Sequence, residues 1–484
     1  HSKKGCAMTI EGAIKPLEDK LIISAINAYM HSCGFEREGN NYVSKESAST
    51  GLGGYGHTRV VTVTAPGADG QGGGVCTSVS DYSEVPGTYT NLHRPHFENI
   101  RSRIRGALKV FHSVPEYKSL DATSNSLVDL IDKLDVCEDS AAGMGEDGLL
   151  GTLKQAEHAV NGVFVGAAFD ALCLKVLPEL RRGILAYRAT AGCLLANFRS
   201  EQAVMKRAEE SVISAIESAT KACDAIASDS KSGGIVVTLT IISLAVSVAN
   251  LAVTASSARK PMEVANLVGS MADLGLKTIK DKDLKDAVDK FFKKPGAEVN
   301  AVISEFEKSL KKINEECRKV ETEVTAVLRE SISGMTRPEA RHKYDLNVTP
   351  HTSGAFATTG LMIKDTEEAY KISDRVLPHL CTLMEQYAGE LMKIGFSLPL
   401  VRAGGFGLGP SGSAPKLVEL QGLLYQLMMD FGNEVGDYAH NLRCAIDAVI
   451  ATDQDSAASL SRIDASAQQM QQDKRHPWER YDRK

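Results

Sequence analysis

Between Lys231 and Arg259 the chain runs for twenty-seven residues, Ser232–Ala258, without a single charge. It does so in the middle of a sequence otherwise patterned as amphipathic helix. A helix needs about 20 predominantly apolar residues to cross the hydrocarbon of a bilayer, so Gly234–Val253 is long enough. The same stretch carries Thr240, Ser243, Ser247, Asn250, Thr254 and Ser257 at alternating spacings of 3 and 4. That spacing gathers the small polar side chains on one helical face, with Val237, Ile241, Leu244, Val248 and Leu251 on the neighbouring face. A soluble bundle would turn the polar stripe toward water and bury the apolar one. A membrane bundle would use small and hydroxyl residues for close contact between helices. Both readings stay open here, and the function turns on which holds.

The flanks narrow the choice of fold. Ala203–Ala227 places Met205, Ala208, Val212, Ala215, Ala219, Ala222 and Ile226 at 3-4 spacing. Glu298–Ser331 repeats the pattern with Val299, Ile303, Phe306, Leu310, Ile313, Cys317, Val320, Val324 and Val327, and with Glu and Lys elsewhere. Such seams need a facing helix. The two arms are therefore expected to run antiparallel, with the uncharged segment between them. A second hairpin is expected over 365–466. Asp365 and Glu368 make a capping-box-like start, and Pro378 predicts a kink on the way to Ile394. Leu398–Ser413 is a Gly/Pro loop. Ser413 and Pro415 open a helix of up to fifty residues, with Leu417, Leu420, Leu424, Leu427, Phe431, Val435, Tyr438, Leu442, Ala445 and Val449 on one face.

Ahead of the helices, residues 9–118 read as a small α+β unit. Lys15–Ser32 and Phe97–Val114 have helical spacing, and Asn41–Glu46, Thr58–Ala65 and Gly74–Ser80 are β-branched runs split by glycine-rich turns. The whole is a mainly α chain: an elongated helical bundle of long hairpins with a small N-terminal α+β subdomain. Its expected parts are an expression remnant at 1–8, the α+β unit at 9–118 and the long hairpin at 119–335. A linker at 336–364, the second hairpin at 365–466 and a polar tail at 467–484 complete it.

Composition removes several function classes. A net charge of −6 with one Trp and 6% aromatics lacks the basic face and stacking platforms of a nucleic-acid binder. The ten cysteines contain no C-x-x-C pair, which suits free thiols in a reducing compartment. No basic stretch followed by an apolar run comes after Met8, so the protein is expected to be made in the cytoplasm without a signal peptide and to leave, if it does, by another route.

Chemistry-bearing motifs are few. Gly51-x-Gly53-x-x-Gly56 and Gly407-x-Gly409-x-x-Gly412 match the dinucleotide fingerprint only as strings, because neither lies between a strand and a helix; both are read as turns. His93-x-x-His96 with His57 and Cys76 could ligate a metal, but Pro95 makes this a loop and no second spaced pair accompanies it. No nucleophile–base or metalloprotease constellation appears. The expectation is no catalytic residue, no cofactor and no metal.

One string is more specific. Phe164-Val-Gly-Ala-Ala-Phe169-Asp-Ala-Leu172 runs into Leu177-Pro-Glu-Leu180, then Gly183, Ala186, Ala189, Leu194–Ala196, Phe198 and Gln202. With Phe164 where that family has Trp, it resembles the WXG-type helical-hairpin proteins of actinobacterial type VII secretion, as does Ala451-Thr-Asp453 with Ser456–Ser461. The resemblance covers residues 120–230 and 415–465. It implies a helix turn built on Phe164, Gly166 and Phe169, and an export signal of the form Tyr-x-x-x-Asp/Glu. Tyr370 and Asp374 are the candidates, although Tyr42/Glu46 and Tyr117/Asp121 match equally. It further implies a secreted or secretion-associated protein acting by self-assembly and partner binding, with a second copy, a WXG-type helical partner or the secretion machinery as partner. The alternative is an α-helical pore-forming toxin that inserts residues 232–258 into a membrane.

Overall fold

The computed structural model describes residues 9–48, 57–66, 72–79, 92–137, 148–165, 175–228, 297–337, 344, 362–363, 365–402, 404–451, 463 and 466. The uncharged segment, including Val237, Ile241, Leu244, Val248 and Leu251, lies outside them, as do Gly166, Phe169 and the Gly51-x-Gly53-x-x-Gly56 string.

The N-terminal part combines α1 (Glu11–Ser32), four strands and α2 (Arg94–Leu108). The strands β1 (Glu36–Glu38), β2 (Asn41–Ala48), β3 (His57–Thr64) and β4 (Val75–Val79) form one antiparallel meander in sequence order. Tyr42 anchors the sheet to the helices. It is fully buried, its hydroxyl donates to Asn27 Oδ1 of α1 at 2.7 Å, and its ring meets Phe97 of α2 edge-on. Phe97, Ile100, Ile104, Leu108 and Phe111 are all buried, as the spacing of that helix requires. Past the 3₁₀ turn Tyr117–Leu120 come α3 (Asp121–Lys133) and α4 (Leu149–Val163).

The centre is a pair of long helices, α5 (Leu177–Ala227) and α6 (Ala297–Thr336). Cys193 meets Ser331 and Glu201 approaches Glu321 through Arg402, so residue numbers rise along one helix as they fall along the other. The arms are antiparallel. Every residue of the Met205–Ile226 stripe is buried, and so is the α6 seam from Val299 to Val324. At the far end Leu328 and Ile332 take over from Val327, which is only half-buried. An α-helix drifts about 20° per heptad against a 3.5-residue repeat, and that drift moves the seam by one position. Helix α1 packs along α5, and α2 packs on α6 through Arg103, which bonds Glu307, Ser304 and Asn300.

The second hairpin begins at α7 (Thr366–Lys371), where the Asp365 carboxylate accepts from the Glu367 and Glu368 N–H groups. A π-helical turn, Ile372–Val376, leads into α8 (Leu377–Lys393). Pro378 has no N–H and its ring would crowd the carbonyl four residues back. A wider turn lies just before it, and there the helix departs from regular α geometry. After the glycine loop, α9 (Ala414–Ala451) returns antiparallel to α8. Buried Gln421 donates to the Leu391 and Ile394 carbonyls at 2.6 and 2.7 Å and so closes the C-terminal end of α8. Leu417, Leu420, Leu424, Leu427, Phe431, Val435 and Leu442 are buried along one face of α9. The two hairpins meet where Phe431 lies against Gly183 and packs edge-on to Tyr187 at 5.3 Å. Residues Phe164–Val165 (β5) pair antiparallel with Met362–Ile363 (β6), bringing the end of α4 beside the start of the second hairpin. The molecule is mainly α, a bundle of long hairpins carrying a small N-terminal sheet.

Candidate functional site

Among the described residues, two of the polar clusters formed where separate elements meet bear on function. The first is exposed. Tyr370 on α7 donates its hydroxyl to Asp447 Oδ1 on α9 at 2.7 Å, and the Arg443 guanidinium lies 4.3 Å from the centre of the Tyr370 ring. Arg443 also pairs with Asp374 in the π turn and, through Nε at 3.3 Å, with Asp447. A cation over an aromatic face is favourable, so one arginine ties together both halves of the Tyr-x-x-x-Asp motif. The alternative matches have other settings: Tyr42 is in the core, and Tyr117 forms a 3₁₀ turn beneath Lys206. Tyr370 and Asp374 are thus brought together in a surface-facing motif. Phe164 enters as backbone, pairing with Ile363 seven residues before Tyr370.

The second cluster is buried. The side chains of Glu201 (α5), Glu321 (α6) and Arg402 (glycine loop) have no exposed surface. Arg402 Nη2 is bonded to Glu321 Oε1, its Nε donates to the Gly409 carbonyl at 3.1 Å, and its plane stacks on Phe406 at 4.9 Å. Glu321 Oε2 accepts the Leu408 N–H at 2.6 Å. Beside it, Asn314 bridges the loop by accepting from the Gly407 N–H at 2.7 Å and donating to the Gly405 carbonyl at 2.8 Å. Gly407 has φ +53°, and a Cβ there would run into the Glu321 carboxylate. Only glycine permits both the left-handed backbone and the close approach. Glu201 is treated differently. Arg402 Nη1 is 3.8 Å from it, and Ser413 at the head of α9 is its other polar neighbour. Burial pushes the Glu201 carboxyl well above the usual range, and burial together with Glu201 pushes Glu321 up to about 7.

This second cluster escaped the sequence reading, yet a signal was there. Glu201 sits three residues after Phe198 and four before Met205, and Glu321 sits four after Cys317 and three before Val324. Both are charged residues on apolar stripes. Elsewhere, His93 and His96 pack around Tyr29: His93 Nδ1 is 3.3 Å from the tyrosine oxygen and the His96 ring stacks at 5.1 Å. Among the described residues no group of three or more His, Cys, Asp or Glu is placed to hold a metal ion. Likewise, no helix among them is long and apolar enough to cross a membrane.

No family model matches this chain, and no curated protein or solved structure does so either.

Proposed function

We propose that the protein acts by non-covalent assembly at a membrane, with the α5/α6 hairpin delivering the uncharged sequence Ser232–Ala258 to the bilayer. The observation that carries this reading is the antiparallel course of the two arms. The chain leaves α5 at Ala227 and re-enters α6 at Ala297 on the same end of the bundle, and the sequence between holds a charge-free run long enough to span hydrocarbon. The test is dye release from vesicles of phosphatidylcholine and phosphatidylglycerol. Wild type should release dye. Ser247→Lys, which adds roughly 2.5–3.5 kcal/mol at the bilayer centre, should abolish release. Release undiminished in the Lys variant, or none from wild type, refutes insertion of this segment.

The second reading is a secreted or secretion-associated protein of the type VII class that binds a helical partner or a second copy of itself. The pairing of Phe164–Val165 with Met362–Ile363 favours it, because it draws the Phe164 backbone toward the Tyr370/Asp374 helix. Loss of secretion on Tyr370→Ala in a host with a type VII system, with light scattering to follow assembly, is the expected result. Secretion at wild-type level removes this reading.

A further inference from the structure

The Glu201–Arg402–Glu321 cluster holds two carboxylates and one guanidinium in a site closed to water. Fully ionised, it would carry one uncompensated buried negative charge, which costs several kcal/mol. The geometry says which carboxylate keeps its charge. Glu321 accepts both the Arg402 bond and the Leu408 N–H, interactions that favour a carboxylate anion. Glu201 has the longer 3.8 Å approach to Arg402, and its other polar neighbour is the uncharged Ser413. One proton on Glu201 removes the surplus charge, and the acid O–H it creates can donate to Ser413 Oγ.

We propose that this cluster is a proton-operated latch, which fastens the glycine loop joining α8 and α9 onto the α5/α6 hairpin while its proton is in place and loosens the loop when the proton is lost. Arg402, the Leu408 N–H and the Asn314 bridge fasten the loop to the long hairpin and all converge on this spot. The charged and titratable groups facing it are Glu201 from α5, Glu321 and Cys317 from α6, and Arg402 from the loop; Ser413 at the head of α9 is uncharged. Because the folded cluster holds a proton that an exposed carboxylate has already released above about pH 4.5, closure is strongest in acid. It weakens as pH rises toward neutrality.

The experiment is hydrogen exchange of the Leu408 amide in the full chain, corrected for the intrinsic pH dependence of amide exchange. The amides of Ile26 and Phe306 serve as core reporters. One linked proton predicts that wild-type protection at Leu408 falls about tenfold per pH unit from pH 5 to pH 7, while the reporters change much less. Glu201→Gln and, separately, Glu321→Gln each leave Arg402 facing one carboxylate, so either should flatten the Leu408 profile. Flat wild-type protection overturns the latch. So does a fall shared equally by the reporters, which would be global destabilisation, or a fall that survives in a folded Gln variant. Should neither variant fold, the wild-type comparison of Leu408 with the reporters decides alone.

Discussion

Replacing Gly183 by alanine tests the joint between the two hairpins. Alanine is favoured over glycine in a helix interior by about 1 kcal/mol, so on propensity alone the change should stabilise α5. A Cβ at this position, however, would lie 2.6 Å from Cε2 of Phe431. Regaining even a tight 3.4 Å contact requires the ring to retreat by roughly 0.8 Å, the difference of those two distances. The ring has nowhere to go: Phe431 is 1% exposed and is held edge-on by Tyr187. Overpacking of this kind typically costs about 1–3 kcal/mol, so the clash wins and the net change is destabilising by about 0–2 kcal/mol. Gly389 is the control. It lies in α8 with nothing within 4 Å of an added Cβ, so Gly389→Ala should stabilise by up to about 1 kcal/mol. Urea unfolding followed by far-ultraviolet circular dichroism reads both. If Gly183→Ala stabilised as much as Gly389→Ala, the packing at this joint would be looser than described and the argument would fail.

Arg402→Met removes the only cation within the buried cluster and leaves two facing carboxylates. Breaking a buried pair costs roughly 3–5 kcal/mol; the loss in urea unfolding should be largest at pH 8 and smaller at pH 5, and equal losses at the two values would contradict it. Asp365→Ala removes two capping bonds to Glu367 and Glu368 and should cost about 0.5–2 kcal/mol, again by urea unfolding, with no change pointing to a helix start held by other contacts. Cys193, Cys223 and Cys317 are buried, with burial pushing their thiols up, Cys223 to about 12. Cys444 is exposed. Mass spectrometry after brief maleimide treatment of the folded protein should find Cys444 labelled and those three unmodified, and early labelling of Cys317 would contradict the packing of α6.

The long elements were legible because each rests on one physical rule applied many times. Nine seam positions from Val299 to Val327 fix α6, and a single misfit at Val327 only shifts its end. The strands at 41–48, 57–64 and 75–79 follow from β-branched runs between glycine turns, whereas β1 (Glu36–Glu38), fully exposed, has no hydrophobic pattern to betray it. The association of Tyr370 with Arg443 and Asp447 joins residues 77 positions apart, and nothing local encodes such a contact. The buried cluster was hidden for another reason. Glu201 and Glu321 interrupt apolar stripes, and pattern reading averages over an interruption, although an unexplained charge on a buried face is the residue to ask about.

The π-helical turn at Ile372–Val376 has a consequence for which changes in length the chain tolerates. A turn of this kind holds one residue more than the α-helix around it, so deleting a single residue there would bring the helix to regular α geometry, in which the Pro378 ring would crowd the carbonyl four residues before it. Five residues of the wide turn cover nearly the same rotation as four of α-helix, so the flanks would keep nearly the same angle to each other, whereas a deletion elsewhere in α8 would turn them by about 100°. Thr366–Lys371 would stay beside α9, with Tyr370 still facing Arg443 and Asp447. The cost of a one-codon loss at this place therefore falls on the backbone around Pro378 and not on the surface motif.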